Sequence, residues 1–322
     1  MDERIAAGYR RFADVEAKGV SDIYFEWALG VAADDELTDL IGRLPAGKRQ
    51  PNLVFAAARY LGAPVGPYRA FREWFVEHWD ATVPVILARA TQTNEAARCA
   101  VLLPILSRLP GPLVLIEAGA SAGLCLFPDR YSYRYDVDGR VIALDPADGP
   151  SAVQIPCAID ETALPTQLPE VAWRAGVDLN PLDASDDEQM AWLDTLIWPE
   201  HDARRERLRE AARIAASDPP ELVRGDLLTG IPQLIARAPA GAHVVVFHSA
   251  VLVYLDPERR EEFARRMLAL ENVTWISNEG AGVLPAVADQ IDTPADGRLI
   301  LSVDGKPVAL TGPHGQSYTT LG

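Results

Sequence analysis

Residues Leu113 to Leu126 read LVLIEAGASAGLCL. An apolar run ends in Glu117, passes through small residues from Ala118 to Gly123, and leaves through Leu124 and Leu126. The pattern predicts a buried strand, a tight turn and a helix start. It puts a carboxylate at the C-terminal end of the strand, where ligands bind in open α/β sheets. Gly119 and Gly123 let backbone approach a ligand closely, and a helix N-terminus offers free N–H groups. An acid in that place suits a ligand edge that carries hydroxyl or amine donors.

Several known turns share parts of this pattern. A dinucleotide G-x-G-x-x-G beginning at Gly119 fails, because Ser121 and Leu124 stand where glycines are required. A P-loop needs Gly-Lys-Ser/Thr, and no lysine is near. Gly119-Ala120-Ser121-Ala122-Gly123 matches the G-x-S-x-G nucleophile elbow letter for letter. Glu117, Gly119 and Gly123 also resemble the acid-x-Gly-x-x-x-Gly signature of class I S-adenosylmethionine methyltransferases.

Outward from this turn the chain alternates strands and helices. Further strands are predicted at 171–178, 221–225, 243–248, 273–277 and 299–303, and helices at 186–196, 203–216 and 257–270. Such alternation implies a largely parallel sheet covered on both faces. Residues 299–310, LILSVDGKPVAL, read as a β-hairpin turning at Asp304-Gly305. A parallel sheet ending in an antiparallel hairpin is what the methyltransferase resemblance implies. Residues 131–170 break the alternation and read as an insertion: a small hairpin turning at Asp138-Gly139, then a Pro-rich loop. Residues 1–110 carry helical periodicity and close at Pro110-Gly111-Pro112. The predicted fold is α/β: an N-terminal helical cap or substrate region over 1–110, then a Rossmann-like, methyltransferase-type sheet over 111–322.

Composition narrows the partners. The net charge of −16 over 322 residues argues against general binding to nucleic acid or anionic membrane. Three scattered cysteines give no zinc or disulfide framework, so no metal is expected and the thiols are expected reduced. The N-terminus lacks a signal-peptide apolar region, and no stretch approaches the roughly 20 apolar residues of a membrane span. The expectation is a cytoplasmic protein acting on a small molecule, its oligomeric state not legible.

The methyltransferase reading expects acids at successive strand ends, accepting from the amine and ribose hydroxyls of the cofactor. Glu117 ends the first strand. Asp178 in RAGVDLNP is preferred for the second, with Asp136 as the alternative nearer to the usual spacing. Asp226 ends the third. His248 ends the fourth and Glu279 follows the fifth, a base and a partner for the substrate side. The tryptophans Trp173, Trp192, Trp198 and Trp275 read as core.

TQTNEAARCAVLLP, IEAGASAGLCLFPDRYSY, RAGVDLNPLD, VVFHSAVLVYLDPERR, WISNEG and GPHGQSY together resemble the bacterial family called domain of unknown function 2332. The resemblance draws Asn94, Glu95 and Arg98 into view, on a helix expected over 94–109 that feeds the first strand. The cofactor side then comprises Asn94, Arg98, Glu117, Gly119, Ser121, Gly123, Asp178 and Asp226. The function expected is methyl transfer from S-adenosylmethionine to an oxygen or nitrogen of a small molecule. Two alternatives stand beside it. One is a serine hydrolase using Ser121, with His314 and either Asp256 or Asp226. The other is a non-catalytic nucleotide- or S-adenosylmethionine-binding protein.

Overall fold

A computed structural model describes residues 2–321, which fall into two compact units. The first holds the residues up to Thr93 together with Asp187–Glu206; the second holds Asn94–Asp186 and the residues from Arg207 on. The division lies before the expected one near residue 110. Helix Cys99–Leu106 goes with the sheet, and Tyr135 donates its hydroxyl to Ala100 O at 2.8 Å.

The helical unit starts its helices where the sequence supplies caps. Asp2, Ser21 and Asp34 each accept backbone N–H groups of the first turn in helices Glu3–Phe12, Asp22–Ala32 and Asp35–Gly42. The buried faces meet in an aromatic core. Trp27 stacks on Phe71 with centroids 4.1 Å apart and meets Phe55 edge-on at 5.5 Å. Trp192 and Trp198 pack into the same cluster, which explains why 187–206 belongs to this unit.

The second unit is built on one sheet of eleven strands. In chain order these are β1 (Leu113–Ala118), β2 (Ser132–Val137), β3 (Arg140–Leu144), β4 (Gln154–Ile159), β5 (Val171–Asp178), β6 (Glu221–Arg224), β7 (His243–Ser249), β8 (Val273–Gly280), β9 (Leu299–Val303), β10 (Lys306–Thr311) and β11 (Ser317–Thr320). The spatial order is β3-β2-β4-β11-β10-β9-β8-β7-β1-β5-β6. The block from β6 to β8 is parallel throughout. Numbered by appearance within that block, its strands run 3-2-1-4-5, so the connections diverge between β1 and β7. That divergence is a topological switch point. Both predicted hairpins form, with Asp138-Gly139 and Asp304-Gly305 at positive φ as two-residue turns of this kind require. The fold is therefore α/β with a mostly parallel, mixed sheet. No helix among the described residues is long and apolar enough to cross a membrane.

Three local expectations change. The turn after β1 leads into a single 3-10 turn, Leu124–Leu126, rather than a helix. Pro128 follows, and the residue before a proline is driven out of the helical region. The Pro-rich loop within 131–170 contains β4, whose inward residues Ile155, Cys157 and Ile159 alternate with exposed ones. It pairs in parallel with β2 and β11, so the insertion extends the main sheet. The helix expected over 94–109 is a 3-10 turn Ala96–Arg98 followed by helix Cys99–Leu106.

Candidate functional site

The turn that follows β1 sits at the switch point, at the C-terminal edge of the parallel block. Three of its residues have positive φ: Gly119 at 72°, Ser121 at 50° and Gly123 at 71°. A serine in this region is uncommon and costs backbone energy, so the surroundings must hold it. Asp178, at the end of β5, does so. Its Oδ2 accepts from Ser121 N at 2.8 Å and its Oδ1 from Asn180 N at 2.7 Å. Asn94 clamps the turn from the other side, donating to Ala120 O at 2.8 Å and accepting from Leu124 N at 3.1 Å. The structure thus brings Asn94, Gly119, Ser121, Gly123 and Asp178 together around one loop.

Glu117 closes this constellation. Val114, Ile116 and Ala118 on β1 face the apolar core under one side of the sheet. Glu117 alternates with them and faces the opposite side, near Cys125 and Arg98. It is 7% exposed, and its Oε2 has no hydrogen-bond partner. Burial pushes its carboxyl well above the usual range; Cys125 and Asp178 add to the rise, and the Arg98 guanidinium opposes it. Arg98 is itself fixed, Nη1 donating to Ser249 O at 2.8 Å and Nε to Pro313 O at 3.0 Å. Glu95 caps the 3-10 turn through Ala97 N and pairs with Arg207 at 3.2 Å. Ser121 Oγ is also buried without a partner, so no base is bonded to it.

His248 and Glu279 do come together, on the other face of the sheet. His248 is fully buried, and its Nδ1 lies 2.7 Å from Glu279 Oε1. Its Nε2 accepts from the indole N–H of Trp275 at 3.1 Å. Both ring nitrogens are therefore engaged, and neither is open to a substrate in this arrangement. The same Glu279 Oε1 accepts from Val251 N at 2.9 Å and Leu252 N at 3.0 Å, while Oε2 is buried and unpartnered.

Asp226 is not brought to Glu117. It caps helix Leu227–Ile235 through Leu228 N at 2.9 Å and pairs with Arg259 at the β6 edge of the sheet. Asp136, the alternative to Asp178, lies on β2 and accepts from Gly139 N at 2.7 Å within its own hairpin. Two features escape sequence reading. Trp275 is core, as expected, yet its N–H fixes His248. Asn278 bridges strands, donating to Ser249 Oγ at 3.0 Å and accepting from Thr311 Oγ1 at 2.7 Å. Only the alternation of Trp275, Ser277 and Glu279 along β8 signalled that these side chains share a face.

No curated protein and no solved structure matches the chain. A family model does, over residues 6–319, and its description is "uncharacterized protein conserved in bacteria (DUF2332)". With nearly the whole chain covered, the protein belongs to this bacterial family.

Proposed function

We propose that this chain binds S-adenosylmethionine at the Glu117 turn and transfers its methyl group to an oxygen or nitrogen of a small molecule. The observation that carries the reading is the buried, unpartnered Oε2 of Glu117 at the end of β1. An orphaned acceptor in that position is costly unless a ligand donor meets it. The strand order of the parallel block, with its switch point beside this turn, supports the same placement.

The residues present fit the group. Glu117 Oε2 is open to an amine or hydroxyl donor. Each oxygen of the half-buried Asp178 accepts one backbone N–H and keeps a second lone pair. When bound, the cofactor supplies a methyl group on a positively charged sulfur. The protein then has to hold, align and desolvate, which accounts for the lack of a catalytic constellation beside Glu117. His248 and Glu279 are buried on the opposite face of the sheet and touch this site only through the loop after β7, whose amides Glu279 holds.

Isothermal titration with S-adenosylhomocysteine, NAD and ATP tests the proposal. Saturable binding of S-adenosylhomocysteine in preference to the other two is expected. Failure of S-adenosylhomocysteine to saturate at millimolar concentration removes the reading.

A further inference from the structure

We infer that Trp275, His248 and Glu279 form an anchor that holds the loop after β7 in place, and that Val251 on this loop limits what fits beside Gly119. The ligand consequence rests on the proposal that the Glu117 turn is the binding site; the anchor itself does not.

The chain of hydrogen bonds has one direction. An indole N–H only donates, so His248 Nε2 must be the acceptor of the 3.1 Å contact with Trp275. The ring proton then lies on Nδ1 and points at Glu279 Oε1, 2.7 Å away. That oxygen also receives the Val251 and Leu252 amides. Three donors converge on one atom, and two of them are backbone groups of the loop. The loop starts at Ala250, a non-glycine residue at φ 55°, which requires external support. Held so, Val251 covers the glycine turn: a methyl group at Gly119 would stand 2.6 Å from Val251 Cγ2. Val251 thus packs directly on Gly119 and takes the space beside it, and Trp275 is a positioning residue two steps removed from this contact.

Trp275→Phe removes the indole N–H and keeps an aromatic ring. With 15N-labelled histidine at pH 7, wild type should show His248 in the Nδ1–H form with Nε2 hydrogen-bonded, and in Trp275→Phe the Nε2 resonance should move to that of an unbonded acceptor nitrogen while the proton stays on Nδ1. Amide exchange at Val251 and Leu252 should rise by about tenfold or more in Trp275→Phe and in Glu279→Gln, while Val245 and Val246 stay protected. An unchanged Nε2 resonance and unchanged exchange in Trp275→Phe overturn the anchor, whether or not Glu279→Gln folds. Val251→Ala should bind S-adenosylhomocysteine at least about threefold more tightly, as relief of crowding at one side chain predicts. Equal affinity in Val251→Ala and wild type overturns the assignment that Val251 limits the space beside Gly119. If no form binds S-adenosylhomocysteine, the cofactor reading fails, and the histidine and amide signals alone decide the anchor.

Discussion

Glu117 and His248 stand at the ends of neighbouring strands and point to opposite faces of the sheet. In the β1–β7 ladder Glu117 pairs with Phe247, so His248, one residue further, is turned the other way. A parallel sheet turns the two side chains to opposite faces by one step in register. On one face a carboxyl keeps an open oxygen; on the other a histidine is closed between two partners.

Glu117→Gln should move binding and stability in opposite directions. Affinity for S-adenosylhomocysteine should fall by about 1–3 kcal/mol, the cost of leaving a buried hydrogen-bonding group without its partner. Stability should rise at neutral pH. The folded-state pKa of Glu117 lies well above the ordinary 4.5. Its contribution is therefore fully present below the unfolded value and lost as pH climbs through the folded one. The variant escapes that loss, and thermal melts should show a gain at pH 7–8 of about 2–4 °C per kcal/mol, shrinking toward pH 4.5. Equal melting curves at both pH values would show that the carboxyl is not penalised by burial.

Asn94→Ala should destabilise the sheet unit by about 1–3 kcal/mol, because Leu124 N and Ala120 O lose their partner together. Urea denaturation followed by tryptophan fluorescence measures this. A midpoint equal to wild type would mean that the clamp adds nothing to the turn.

Gly119→Ala combines two penalties. Its φ of 72° costs a side-chain-bearing residue about 1–2 kcal/mol, and contact with Val251 adds about 1–3 kcal/mol of overpacking. Adding Val251→Ala should recover the second penalty and leave the first. A double-mutant cycle with no coupling between the two positions would refute their contact.

Ser121 should not react with a fluorophosphonate. Its hydroxyl is buried and unbonded, with no base to take its proton. Stoichiometric labelling that disappears in Ser121→Ala would instead establish a nucleophilic serine.

Much of the sheet unit is legible in the sequence because local signals decide it. Leu113–Glu117, Val171–Asp178 and Leu299–Val303 are short apolar runs bounded by turn residues, and they become β1, β5 and β9 with an error of at most one residue. Asp138-Gly139 and Asp304-Gly305 announce their hairpins through conformations that few other pairs adopt. What stays hidden depends on distant partners. β4 looks like a loop because Pro156 interrupts its run and one of its two partners, β11, lies more than a hundred residues later. His248 looks like a free base because the groups that engage it, Trp275 and Glu279, lie 27 and 31 residues away. Asp178 reads as a ligand acid, and its backbone duty to Ser121 appears only when β1 and β5 are placed side by side.

The pairing of β4 with β11 also bears on how the chain is made. β2, β3 and β4 emerge early, yet they join the rest of the sheet only through Ser317–Thr320. Until that segment has been synthesised, β4 presents an unpaired edge, the kind of surface on which strands of other molecules add. A nascent chain stopped short of Ser317 would carry two separate sheets where the finished one carries one. Its exposed edge makes premature termination there a route to aggregation.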